Sequence, residues 1–365
     1  MNLLFVTQSY DADSTILGVT ADWVQALARR CSSVQVLAQQ AGRRPPDAPA
    51  NVTVHSLGKE RGDSRQRQLG RLLATLGQVL LAAPSGERAT AIFVHMVPRY
   101  AALAAPLAKL RRVPLVLWYA QGGVSRDLHI AHRLVDRIVS ASRRSYPLGA
   151  ERLTVVGHGI DTDRYAPLPS LPRPDDGPLL LSVGRLSPAK DHETTIEALA
   201  TLHAQAGMAA PPILRICGAP LYPSDEAYAE RLRRRVGELG LEQAVQFAGN
   251  VPYAAMPAEY RRAAVLLHTS RTGSLDKAAL EPLACGVPVV TSNPAVQQEL
   301  AAWGERLSFP AGDAARLAAR VQGVLTWTAD ERAAAAATMR QLVVQRHSLE
   351  QWADRVVALL GTLGG

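Results

Sequence analysis

Short runs of aliphatic and β-branched residues alternate along the chain with longer segments whose apolar positions recur every three or four residues. LLFVT from Leu3 is followed by ADWVQALARR, VQVLA from Val34, VTVHS, RQLGRLLATLGQVLLAA, AIFVH and PLVLWYA. Strands of a few residues separated by helix-length amphipathic stretches predict βαβ units and a parallel sheet. After the proline-rich stretch APLPSLPRPDDGP, residues 166–178, the alternation restarts with LLLSVG, HETTIEALATL, LRICG, AVQFAG, AVLLHTS and VPVVTS. The expectation is an α/β protein of two Rossmann-like halves, 1–168 and 169–347, joined by a linker. Two helices close the chain. Thr328-Ala-Asp-Glu331 and Ser348-Leu-Glu-Gln351 both fit the capping box, and Trp352, Val356 and Leu360 form an apolar stripe that needs a surface to bury it.

Composition narrows the class. With 365 residues, 47% of them hydrophobic, the chain can build two cores, which excludes disordered and collagen-like proteins. Cys31, Cys217 and Cys285 are odd in number and lack CxxC spacing, so neither a disulfide framework nor a zinc site is suggested. No window approaches the ~20 apolar residues that span a bilayer, and no charged-then-apolar leader precedes the first strand. These features predict a cytoplasmic protein.

The net charge of +8 is uneven: residues 1–170 hold 21 Lys/Arg against 12 Asp/Glu, and the remainder 19 against 20. A basic first half suits an anionic membrane surface or an acidic substrate. Nucleic acid is disfavoured, because aromatics are only 5% and no RNP-like or finger-like motif occurs. Basic stretches such as GKERGDSRQRQLGR and KLRR would supply reversible membrane contact, placing the protein peripherally on the inner face.

Open parallel sheets bind ligands beyond the carboxyl ends of their strands, so the loops there carry the candidate chemistry. After LLLSVG come Gly184, Arg185 and Lys190, then a helix beginning near His192. A glycine turn, two cations and a helix N-terminus suit a diphosphate. After AVLLHTS, a turn containing Gly273, Ser274 and Leu275 leads through Asp276 and Lys277 into a short helix bearing Glu281, with Leu280 and Leu283 facing inward. A carboxylate there can read a ribose diol. His95 ends the strand AIFVH, with Arg99 close behind.

Other patterns lead elsewhere. Asp11-Ala12-Asp13 and Asp161-Thr162-Asp163 mimic a metal-binding Asp-x-Asp, yet no metal is expected. His129 and His132 lack a third ligand and are expected at the surface. No GxGxxG follows the first strand and no GxxxxGK[ST] occurs, which disfavours nicotinamide and P-loop chemistry.

GRLSPAKD, VVGHGIDTDRY and GSLDKAALEPLACGVPVV resemble the three signature stretches of retaining glycosyltransferases of family four. The resemblance spans nearly the whole chain, and GSLDK stretches occur in one branch of that family. It implies the GT-B fold, two Rossmann-like domains facing each other across a cleft, with the final helix, 348–365, packing back on the first domain. It also implies that Arg185 and Lys190 bind the donor diphosphate, that Glu281 binds the donor ribose, and that Gly18 lies near the donor phosphates. Gly249, Asn250 and Val251 would meet the nucleobase through their backbone. His158 lies in the second signature, and with His95, Arg99 and Gln121 it falls to the acceptor or sugar side of the cleft.

Two departures from the family pattern matter. Most members carry a Glu where Gly273 stands, and often a His where Gln121 stands. Asp276 is the nearest substitute for contacts to sugar hydroxyls, and Lys277 for phosphate. Glutamine can orient a ligand but cannot act as a base near neutral pH.

The implied activity is metal-independent, retaining transfer of a sugar from a UDP- or GDP-sugar to an acceptor hydroxyl, with no cofactor. The acceptor is a glycan, a glycolipid or a small molecule, as in synthesis of cell-surface polysaccharide or glycolipid. Two alternatives stay open, a nucleotide-sugar epimerase on the same fold and a non-catalytic nucleotide-binding member.

Overall fold

The structure is a computed structural model describing residues 1–14, 17–82, 86–168, 177–205 and 210–364. Most of the predicted linker, 169–176, lies outside the described residues. The chain divides into two compact units, Met1–Asp161 with His347–Gly365, and Thr162–Arg346.

In the first unit, β1 (Asn2–Tyr10), β2 (Ser33–Ala41), β3 (Val52–Ser56), β4 (Ala91–His95), β5 (Leu115–Trp118), β6 (Arg137–Ser140) and β7 (Leu153–Val155) form one sheet. Its order is β3-β2-β1-β4-β5-β6-β7, with every pair parallel. The apolar runs become strands because both sheet faces are covered, so continuous rather than alternating hydrophobicity is what these positions require. One face packs on α2 (Arg65–Gly77), α3 (Pro98–Arg111) and α4 (Arg126–Leu134), whose Leu72, Leu76, Ala101, Ala104 and Leu128 join Leu4, Val6, Ile92 and Val94 in one core.

The unit also includes α1 (Val19–Ala28) and the final helix, α12 (Leu349–Gly364), which pack together. The stripe of Trp352, Val356 and Leu360 is fully buried. The Trp352 ring lies 4.2 Å from Trp23, 6.0 Å from Phe93 and 6.1 Å from Trp118. Arg30 ties the helices together at their exposed rim through Glu350 and Asp354.

In the second unit, β8 (Leu179–Val183), β9 (Ile213–Cys217), β10 (Val245–Gly249), β11 (Val265–His268) and β12 (Val289–Thr291) form a parallel sheet in the order β10-β9-β8-β11-β12. This repeats the 3-2-1-4-5 order found in the first unit. Its helices are α5 (His192–His203), α6 (Pro223–Glu238), α7 (Met256–Arg262), α8 (Lys277–Ala284), α9 (Pro294–Glu299), α10 (Ala314–Leu325) and α11 (Ala329–His347). At Thr328 the predicted capping box forms: its amide donates to Glu331 Oε2 at 2.9 Å, and the Glu331 amide donates to Thr328 Oγ1 at 3.2 Å. Ser348 instead bridges by backbone to Ile160. Among the described residues, no helix is long and apolar enough to cross a membrane.

Candidate functional site

In a 3-2-1-4 sheet the connections leave the first and fourth strands toward opposite faces, and the crevice beyond their carboxyl ends receives ligands. In the second unit these strands are β8 and β11, and most of the predicted donor residues gather there. Gly184 follows β8 with φ +152°, and a Cβ there would press on the Lys190 stem at 3.1 Å. A side chain at this position would therefore meet both backbone strain and the aliphatic stem that the glycine lets settle over it.

Lys190 Nζ lies 2.5 Å from Asp276 Oδ2 and donates to Ser270 Oγ at 3.3 Å. His268 Nε2, at the end of β11, sits 3.3 Å from the same Asp276 oxygen, and its Nδ1 is 3.0 Å from Thr291 Oγ1. Burial pushes the Asp276 carboxyl up, but Lys190 and His268 outweigh it and hold the group well below the usual carboxylate range. Asp276 is thus an anion at neutral pH, and its side chains of contact are Lys190 and His268 rather than the adjacent Lys277.

Asn293 locks the surrounding turn. Its buried amide donates to the carbonyls of Ser270 and Ser274, while its oxygen accepts from the first amides of α9. Ser270, Thr272 and Ser274 form a hydroxyl chain with 3.1 Å steps. Gly273 stands within this turn at φ +70° with open space where a Cβ would project. A glutamate here would carry the strain of the left-handed region, so this turn is shaped for glycine.

Arg185 follows Gly184, 3.4 Å from Asp225 and with its guanidinium 5.1 Å above the Tyr222 ring. Its carbonyl accepts from His192 Nε2 at 3.2 Å, and Ser182 Oγ donates to Nδ1 at 2.9 Å. Full burial lowers the His192 pKa to about 4, so the ring is a neutral pin between β8 and α5. The Asp191 side chain does not cap α5; it is engaged by Thr194 and Arg271.

Glu281 lies on α8 and is only 6% exposed. Tyr260 donates to its Oε2 at 2.8 Å, and burial raises its pKa against the opposing pull of Lys277, Tyr260 and Tyr165. A carboxylate so enclosed is set by its neighbours. Leu280 and Leu283 are buried as predicted, as is Leu275. Gly249 ends β10 and accepts from the Gly218 amide at 2.8 Å, followed by exposed Asn250 and half-buried Val251.

The first unit holds the other candidates. His95 ends β4, buried, with Nδ1 3.0 Å from Thr7 Oγ1 and its ring 5.0 Å from Trp23. Met96 follows in the left-handed region at φ 60°. His158 is buried 5.9 Å from the Trp118 ring, and exposed Gln121 donates to the Tyr119 hydroxyl at 2.8 Å. Gly18 precedes α1 in ordinary helical geometry. Arg99 is exposed in the first turn of α3. His132, expected at the surface, is half-buried, bonded to Tyr146 at 2.8 Å and stacked on its ring.

Sequence reasoning missed His268, Asn293 and Tyr260. Only His268 left a signal, a polar residue closing a strand at the carboxyl edge.

The two parallel-sheet units define the GT-B class of fold. The crystal structure of Anabaena Alr3699/HepE in complex with UDP superposes with a TM-score of 0.75 at 19% identity, covering 99% of this chain and 100% of that one. Residues 167–341, within the second unit, match the family model described as glycosyl transferases group 1. A D-inositol 3-phosphate glycosyltransferase of Acidothermus cellulolyticus is 37% identical over 172 residues, 44% of this chain and 38% of that protein. A GDP-mannose-dependent alpha-(1-6)-phosphatidylinositol monomannoside mannosyltransferase of Mycolicibacterium smegmatis is 33% identical over 146 residues, 36% of each. The chain spans about two fifths of the length of such curated relatives.

Proposed function

We propose that the protein is a glycosyltransferase that moves a sugar from a nucleoside diphosphate sugar to an acceptor hydroxyl with retention of configuration. The observation that carries this is the edge of β8 and β11, where Gly184, Arg185, Lys190 and the first amides of α5 converge within a group 1 glycosyltransferase domain. Charge develops on the departing diphosphate during transfer, and preorganised cations and helix amides stabilise it without reorganising. Lys190 and Arg185 supply that charge, so the role a metal plays elsewhere is taken by side chains.

Asp276 holds the Lys190 ammonium in place before the donor arrives, which makes it a positioning residue more than a binder of sugar hydroxyls. Glu281 receives the ribose diol by exchanging its Tyr260 hydrogen bond, while Lys277, Ser274 and Leu275 offer the start of α8 to the donor. Gly249, Asn250 and Val251 meet the base by backbone. The donor is a UDP- or GDP-sugar, supported by the UDP in HepE and by the GDP-mannose dependence of the mycobacterial relative.

Thermal melting with UDP and GDP, with and without magnesium, tests the site. At about 100 times the dissociation constant the bound nucleotide should stabilise the protein by about 2.7 kcal/mol. A shift with one diphosphate that is indifferent to magnesium supports the proposal. No shift with either would leave the site without its ligand.

A further inference from the structure

Asp276 departs from a local rule. It is the N-cap residue of α8, with the extended backbone of a cap, and an aspartate there ordinarily accepts from the first amides of its own helix, a contact that contributes about 1 kcal/mol. Its side chain makes no such bond. The carboxylate is turned instead toward β8 and β11, where a single oxygen, Oδ2, meets both Lys190 Nζ at 2.5 Å and His268 Nε2 at 3.3 Å. Local rules are broken where a site needs the side chain elsewhere.

The hydrogen bonds around His268 fix which ring nitrogen carries the proton. Thr291 Oγ1 accepts from the Asn293 amide at 3.0 Å and lies 3.0 Å from His268 Nδ1. Both side chains are buried. Among the described residues Nδ1 is the one partner left for the Thr291 hydroxyl hydrogen, so the hydroxyl donates to it and the ring's own proton sits on Nε2, facing Asp276. A directed chain of donors thus runs from the Asn293 amide through Thr291 and His268 to the carboxylate.

The consequence falls on Lys190. An ammonium has three donors. Asp276 takes one and Ser270 Oγ, at 3.3 Å, a second, while the aliphatic stem lies against Gly184. The third N–H is left for a ligand, and the side chain stays 22% exposed at the strand edge. We propose that His268 is a positioning residue of the donor site: by donating to Asp276 it fixes the Lys190 ammonium so that the third N–H is presented to the donor diphosphate. This rests on the donor reading given above. Lys190 then binds without leaving its counter-ion, and an ammonium already fixed loses less freedom on binding than a loose one.

The test is calorimetric titration of UDP and of GDP into the full chain, with ligand-free melting to establish that each variant is folded. For the diphosphate that binds the wild type, His268→Leu should raise Kd about 10-fold, as for loss of a hydrogen bond to a charged group. His268→Gln keeps an N–H donor at the reach of Nε2 and should restore most of the affinity. In an Asp276→Asn background His268→Leu should change Kd by no more than about 2-fold, because residues that act through one another are not additive. A histidine that only packs would cost the same in both backgrounds. Should His268→Leu not fold, ¹⁵N NMR of the wild-type ring carries the test, with the proton expected on Nε2 and none on Nδ1. Thr291→Val, which removes the hydroxyl donor, should then weaken binding about 3-fold. An unchanged Kd in folded His268→Leu, an equal loss in both backgrounds, or a proton on Nδ1 would overturn the proposal. Binding by the wild type with no response to His268 removes this proposal alone; a wild type that binds neither diphosphate overturns the donor reading and this proposal with it.

Discussion

In both units the fourth strand of the 3-2-1-4 order ends in a histidine, His95 on β4 and His268 on β11. Around His95 the neighbours are Thr7 and the rings of Trp23 and Phe5, and a cluster of three tryptophans extends from there. Around His268 they are Thr291 and Asp276, and the polar chain continues to Lys190 and Ser270. Charge divides in the same way. The first unit carries 21 Lys/Arg against 13 Asp/Glu and the second 19 against 19, so the whole net charge of +8 belongs to the first. One strand order therefore supports an aromatic core beneath a basic edge in one unit, and in the other a neutral body whose cations are held at the site by their own counter-ions. Function follows the side chains placed at the edge rather than the sheet that places them.

The largest expected effect is at Trp352. If the first unit depends on its aromatic cluster, Trp352→Ala should cost about 4 kcal/mol in denaturant unfolding, as expected for a fully buried tryptophan. A loss below about 1 kcal/mol would mean that the cluster is not central to that unit.

His192 gives the next largest effect and concerns the second unit. Its pKa falls from 6.5 to about 4 in the fold, so between these values the unfolded chain takes up a proton that the native ring refuses. Stability is therefore lost as pH falls through that window, by up to about 3 kcal/mol. Urea unfolding at pH 7 and pH 4.5 should show this loss in the wild type and a smaller one in His192→Gln. Equal losses would remove the pin between β8 and α5.

The smallest effect is at Gly273. Gly273→Ala meets open space but a left-handed backbone, so the expected cost is about 1 kcal/mol. A neutral or stabilising result would show that the turn relaxes freely and could accept a glutamate.

Much of the second unit's edge was legible because its chemistry lies within short runs: Gly184 to Lys190 in one loop, Gly273 to Glu281 in another. Strands and helices were legible because each buried run is short and apolar, and because the Trp352 stripe keeps helical spacing. The partnerships were not. Asp276 reaches Lys190 across 86 positions of sequence, and Tyr260 reaches Glu281 across 21, over a turn no periodicity encodes. The sequence pattern assigns Asp276 to sugar hydroxyls, and only the fold brings its carboxylate to the Lys190 ammonium.

Whether the Lys190 edge of the second unit holds the donor diphosphate is read from the UDP-induced melting shift of Lys190→Ala beside wild type. A clear shift is expected in the wild type and should be largely lost in the variant, with turnover falling at least ~10²-fold, as for removal of one preorganised charge contact. An undiminished shift and unchanged turnover in a folded Lys190→Ala protein would contradict it.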